Sequence, residues 1–164
     1  EELSRRTFQY FLDHADPETG LVLDRARATG EAHPPGHPSH GVASSAATGF
    51  GLTALCVGGA RGWVTRAEAV RRSLLALRFF AGRASQERGW FLHWMDARTG
   101  ERRWRSEYSS IDTTLLLGGV LAARRCYGDE PEVARLATQI YERVDFPWML
   151  ARSADLFSHA WRAQ

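Results

Sequence analysis

The stretch ASSAATGFGLTALCVGG, residues 43–59, carries no charged side chain, and the reading of the fold starts from it. It is too long for an ordinary strand and rich in Ala, Gly and Leu. It predicts a helix covered by protein on nearly every side. A second uncharged run, TTLLLGGVLAA (residues 113–123), lies further along. The segments that follow each run have a different character. Thr65 and Glu68 have capping-box spacing ahead of a helix reaching about residue 81, with Val70, Leu74, Leu77 and Ala81 on one face and Arg71, Arg72 and Arg78 off it. Asp129 and Glu132 are spaced in the same way ahead of VARLATQIYERV. There Val133, Leu136, Ala137, Ile140, Tyr141 and Val144 form one apolar stripe. The chain thus repeats a unit of long loop, apolar helix, short turn and amphipathic helix. A covered helix belongs inside and a half-wet helix outside, which is the alternation that a double ring of helices requires. The predicted fold is all-α, part of an α/α toroid whose long loops gather at the end where the inner helices begin.

The remaining segments fit around this unit. Residues 3–15 predict a helix with Phe8, Phe11, Leu12 and Ala15 on one face, stopped by DPETG; LVLDR then predicts a short extended piece. TGEAHPPGHPSHG (residues 29–41) is a Pro/Gly/His loop, and GWFLHWMDARTGERRW (residues 89–104) suits a hairpin-like excursion. FLDHADPETG and FLHWMDARTG agree at Phe, Leu, Asp, Thr and Gly. Asp opening and Gly closing such a pentapeptide suit a tight turn ending in a left-handed residue, and the agreement is a second trace of repetition.

Composition narrows the function classes. The 164 residues are enough for one domain with a real core, and 44% apolar with 24% charged residues is the balance of a soluble globular protein. Net charge is +2, and all 21 basic residues are Arg. Their signs alternate with acids and no basic block forms, which argues against nucleic acid and anionic membranes as partners. No apolar run reaches the ~20 residues of a membrane span. The chain opens EELSRR, with neither Met nor a leader, so a processed form or a fragment is expected. Cys56 and Cys126 each lie in apolar surroundings and read as buried free thiols rather than a disulfide. His33, His37 and His40 lie in a Pro/Gly loop without helical register and with only Glu31 near, so a solvated loop is expected there and no metal site. GFG at residues 49–51 lacks the preceding strand and third Gly of a dinucleotide fingerprint, and Ser44 and Ser45 lack a nucleophile elbow.

RSEYSSIDTT, residues 105–114, is where chemistry concentrates. Ser109 and Asp112 have capping-box spacing, with Asp in place of the usual Glu, and a first-turn carboxylate suits the helix dipole. Asp112 therefore has a structural duty. Glu107 precedes the cap and has none. The stretch follows an aromatic segment with Trp90, Phe91, Trp94 and Trp104. Trp faces stack on sugar rings and carboxylates supply the acid and base of glycoside cleavage, so a carbohydrate site is indicated. Each Trp taken singly suits a core position as well.

ADPETGLVLDR, AATGFGLTAL, RGWVTRAEAV, LRFF, SEYSSIDTTLLLGG and YERVDFPWM, in this order, resemble the bacterial glucoamylase-like family that includes endo-β-1,2-glucanases. The resemblance runs from about residue 3 to residue 159 and covers the N-terminal part of a longer family domain, so residues 1–164 are expected to be a portion of one (α/α)6 domain. It implies inverting hydrolysis of a β-linked glucan, without cofactor, and export to the periplasm or beyond. By position it implies Glu107 and Asp112 as the acidic site residues, with Glu107 as proton donor or its close neighbour and Asp112 orienting a sugar hydroxyl or water. It also implies Asp24, Arg25, His93, Trp94 and Asp96 as residues around the substrate, to which the aromatic segment adds Trp104. Alternatively, the chain is a non-catalytic carbohydrate-binding module or an inactive piece of a longer enzyme. Part of a ring leaves inner helices uncovered, so the missing half of the toroid, or self-association, is expected to cover them.

Overall fold

Among the described residues five α-helices carry the fold: α1 (Glu2–Asp13), α2 (Ser45–Ala60), α3 (Arg66–Gly82), α4 (Ser110–Tyr127) and α5 (Pro131–Glu142). The structure, a computed structural model, describes residues 1–150 and 156–162. Residues 151–155 and 163–164 of the span read above lie outside it.

α2 and α4, the two uncharged runs, lie side by side and point the same way. Gly49 faces Leu115, Leu116 and Gly119 near their starts, and the Tyr127 hydroxyl donates to Leu55 O (2.8 Å) near their ends. The approach is as close as backbones allow: a Cβ on Gly119 would stand 2.0 Å from Gly49 O, and one on Gly49 would stand 2.4 Å from Leu115 O. α3 and α5 form a second layer over this pair, and α1 packs on α2. The core between the layers includes Leu52, Leu77, Phe79, Phe80, Leu116, Val120, Val133 and Ile140.

Local chemistry explains the helix starts. Ser44, Thr65 and Ser109 each accept a backbone N–H from three residues on, at Ala47, Glu68 and Asp112. Glu68 turns outward and pairs with Arg71 and Arg72, whose bonds hold its carboxyl down at about 2. The box expected at Asp129 and Glu132 does not form. The N-cap of α5 is Glu130, with no side-chain cap. Both carboxylate oxygens of Asp129 instead accept from Arg66 Nη2 (2.6 Å each) and Glu132 pairs with Arg78 (2.7 Å), because arginines on α3 reach across and take them.

Two further expectations need correction. α2 and α4 are not covered on every side: Phe50 is 51% and Ile111 53% exposed, and Val57, Leu115 and Leu121 are also exposed. Among the described residues these helices are covered by α1, α3 and α5 and, at their N-terminal ends, by the short strands Val42–Ser44, Trp90–Phe91 and Tyr108–Ser109. Cys126 is also exposed, although Cys56 is buried as expected, and both are free thiols.

The loops are more regular than an all-α reading suggests. Among the described residues six short strands, β1 (Val42–Ser44), β2 (Gln86–Glu87), β3 (Trp90–Phe91), β4 (Trp94–Asp96), β5 (Tyr108–Ser109) and β6 (Ala160–Trp161), pair antiparallel as β1–β4, β2–β3 and β5–β6. The two matching pentapeptides fold identically. Asp16 Oδ1 accepts from the Glu18 and Thr19 N–H groups as Asp96 Oδ1 does from Arg98 and Thr99, and each turn closes on a glycine with φ of 72° or 78°. Thr19 Oγ1 donates to Ala97 O (2.6 Å) and locks the two turns together.

Candidate active site

Two of these strands feed directly into helices, and that places the site. β1 leads into α2 and β5 into α4, while β4 pairs with β1 in the register Ser44↔Trp94. His93 is fixed from both sides: its N–H donates to Glu107 O (2.9 Å) and its carbonyl accepts from Ser45 N–H (3.2 Å). The Trp94 N–H donates to Ser106 Oγ (2.7 Å). His93, Trp94 and Glu107 therefore gather where the two parallel helices begin.

His93 lies between the two carboxylates singled out by sequence. Its Nδ1 is 3.0 Å from Glu107 Oε1 and its Nε2 is 3.4 Å from Asp112 Oδ1. Asp112 is tied further, since its N–H donates to Ser109 Oγ (3.2 Å) and the Ser109 hydroxyl donates to its Oδ2 (2.6 Å). The cap and the grip on His93 thus use both oxygens of Asp112. Glu107 is only 7% exposed. Burial pushes its carboxyl up, but its own backbone N–H, the His93 contact and the charge of Arg162 outweigh this and hold it below its ordinary value.

Trp94 stacks on the His93 ring (centroids 3.4 Å apart, planes 21°) and meets Trp104 edge-on at 5.0 Å. Trp104 is 42% exposed and holds a left-handed backbone, φ 53°, a conformation that costs a non-glycine residue about 1–3 kcal/mol. Arg25 lies over its ring at 5.6 Å and donates from Nε to Asp24 Oδ2 (2.7 Å). Asp24, Arg25, Trp104, Trp94, His93 and Glu107 form one continuous run of contacts. Asp96 stands apart from it, with Oδ1 in its turn and Oδ2 accepting from Arg103 (3.0 Å).

Sequence reasoning missed Arg162. Its Nη2 lies 3.8 Å from Glu107 Oε2, brought there by β6 pairing with β5 and by the Ser110 N–H and hydroxyl donating to His159 O. A single arginine far along the chain carries no local signal of this. The His33 and His37 rings stack at 4.1 Å, and His40 Nδ1 lies 2.7 Å from His33 O.

The depressed Glu107 carboxyl has a measurable consequence. A folded value below the unfolded one means that ionised Glu107 stabilises the fold above about pH 4.5, and that this contribution is lost as pH falls through the lower folded value. Urea midpoints should therefore drop more between pH 5 and pH 3 for the native chain than for Glu107→Gln; equal drops would show that Glu107 is not held this way.

In fold this chain is similar to part of predominantly helical, glucoamylase-like proteins, and it spans well under half the length of each. Over 98% of its length it superposes with TM-score 0.82 and 25% identity on 39% of an endo-β-1,2-glucanase from Chitinophaga pinensis, solved with sophorotriose and glucose. It covers the same 39% of a candidate glucoamylase from Bacteroides fragilis NCTC 9343, at TM-score 0.78 and 30% identity. In sequence it is 25% identical over 150 residues to an exo-β-1,2-glucooligosaccharide sophorohydrolase (non-reducing end) from Parabacteroides distasonis, matching 86% of this chain and 19% of that protein. No family model matches the chain.

Proposed function

We propose that this chain supplies part of the active site of a glycoside hydrolase acting on a β-linked glucan, with β-1,2 linkage suggested by the activities of its relatives. The observation that carries the proposal is the buried Glu107 carboxylate beside a half-exposed tryptophan rim. In this reading α2 and α4 are neighbouring inner helices of an (α/α)6 ring and α3 and α5 its outer helices. The N-terminal part of the domain is what residues 1–164 represent, and the bare apolar faces of α1, α2 and α4 are covered by the rest.

The reaction would be protonation of the leaving glycosidic oxygen with attack by a water from the opposite face, which inverts the anomeric centre and uses no metal or organic cofactor. An inverting pair needs its carboxyls ~6.5–9.5 Å apart with a water between them. Glu107 and Asp112 have an imidazole between them instead. Asp112 is thus cast as the residue that holds His93, and His93 as the residue that orients Glu107. The carboxyl of Glu107 is held ionised, which suits the neighbour of the proton donor, activating water or steadying positive charge at the anomeric carbon. The second carboxyl would come from the remaining domain. Trp94 and Trp104 would receive the sugar faces, and Asp24 and Arg25 the hydroxyls.

The direct test is reducing-sugar release from β-1,2-glucan by the chain joined to the remainder of its domain; no release from any β-glucan would sink the proposal. Binding by the chain itself provides a second readout. Sophorose-series oligosaccharides should shift the indole signals of Trp94 and Trp104, and Trp104→Ala should weaken binding roughly tenfold. Binding that survives in the completed domain without hydrolysis would select the non-catalytic alternative. That alternative draws its support from the lack of a water-separated carboxyl pair around His93.

A further inference from the structure

The close contact between α2 and α4 fixes more than their spacing. Gly49 meets Gly119 backbone to backbone, and the helices run in the same direction. One heptad beyond each glycine lie Cys56 and Cys126. A heptad advances an α-helix by almost two whole turns, with a drift of only ~20°, so residues facing each other at the first level face each other again at the second. The contacts agree: the hydroxyl of Tyr127, next to Cys126, donates to the carbonyl of Leu55, next to Cys56. A disulfide needs Cα atoms within about 4.4–6.8 Å, and helices that touch through glycines are among the few packed closely enough to offer it.

From this register we infer that Cys56 and Cys126, both free thiols in this structure, can be oxidised to a disulfide that staples the C-terminal end of α2 to that of α4, opposite the end where His93 and Glu107 gather. The oxidant is a low-molecular-weight disulfide such as oxidised glutathione. Cys126 is exposed, so its thiolate attacks first, forming a mixed disulfide and releasing one glutathione thiolate. Cys56 is buried beside it and burial pushes its thiol up, so it must shed a proton before it attacks the Cys126 sulfur and expels the second glutathione. Two protein thiols are oxidised, one disulfide is reduced to two thiols, and no atom remains unassigned. The second step is the slow one and quickens at mildly alkaline pH. The inference rests on helix register alone and stands or falls separately from the proposed hydrolase role.

Incubation of the unmodified chain with oxidised glutathione tests it. The expected product is monomeric, lighter by two hydrogens, free of titratable thiol, and gives a peptide in which Cys56 and Cys126 are joined. Its urea midpoint should exceed that of the same sample after reduction, because the bridge closes a long loop of the unfolded chain. Persistent glutathionylation at Cys126 at alkaline pH, a dimer linked through Cys126, or a midpoint that does not rise would each overturn the staple.

Discussion

Alanine at Gly119 is expected to destabilise the fold by about 2 kcal/mol, whereas alanine at its neighbour Gly118 should stabilise it by up to about 1 kcal/mol. Both glycines lie in α4, both exchange a flexible residue for the best helix former, and both gain ~1 kcal/mol on that account. They differ in what the new methyl meets. At Gly118 nothing lies within 4 Å. At Gly119 the methyl would stand 2.0 Å from Gly49 O and 2.6 Å from Gly49 C, and these are backbone atoms that no rotamer can move. α2 and α4 must then part along their shared length, and overpacking of this kind costs about 1–3 kcal/mol, at the upper end where nothing flexible yields. Gly49→Ala should behave like Gly119→Ala, because its methyl would meet Leu115 O at 2.4 Å. Urea titration of the three variants reads this directly. A neutral Gly119→Ala would mean that the two helices do not pack through their glycines. Two adjacent, chemically identical substitutions of opposite sign leave little room for any other account.

That contrast also marks the limit of what the residues reveal on their own. The uncharged runs announced two helices, though not their bare faces at Phe50 and Ile111, and the capping patterns at Thr65 and Ser109 announced two helix starts, because composition and capping are local. The twin turns at Asp16 and Asp96 were legible for the same reason, and they fold with the same bonds. The cap at Asp129 failed because a competitor, Arg66, lies on another helix, and composition does not say which arginine will reach it. Glu107 stood out by lacking a structural duty, but nothing in the sequence put the His93 ring between it and Asp112. That arrangement needs β1 to pair with β4 and His93 to be held between Ser45 and Glu107, contacts made across long stretches of chain. The resemblance placed Asp96 around the substrate with His93 and Trp94, yet its oxygens serve its turn and Arg103. Trp94 and Asp96 stand two apart on β4 and so share a face of it, but the tight turn that Asp96 opens and Arg103 claim its oxygens.

Glu107→Gln in the completed domain should lower turnover by roughly 10²–10⁴-fold, the range for losing a group that manages a proton or a charge in the transition state. The substitution keeps the shape and keeps an oxygen for the His93 ring, so binding of oligosaccharide should change little and the loss should fall on kcat. Asp112→Asn should divide its effects differently. Asp112 receives the Ser109 hydroxyl and faces His93 Nε2, so its change weakens the start of α4, where such caps are worth about 1 kcal/mol, and loosens the ring that orients Glu107. Stability should fall in Asp112→Asn and hold in Glu107→Gln at neutral pH to within the small charge contribution described above, while activity should fall further in Glu107→Gln. His93→Ala separates positioning from chemistry: freed from its partner, Glu107 should titrate higher, because one of the bonds that pull it down is gone while burial remains. The acid limb of the pH–rate profile should then move to higher pH. Undiminished activity in Glu107→Gln would remove it from the reaction, and an unmoved acid limb in His93→Ala would leave the histidine as scaffolding alone.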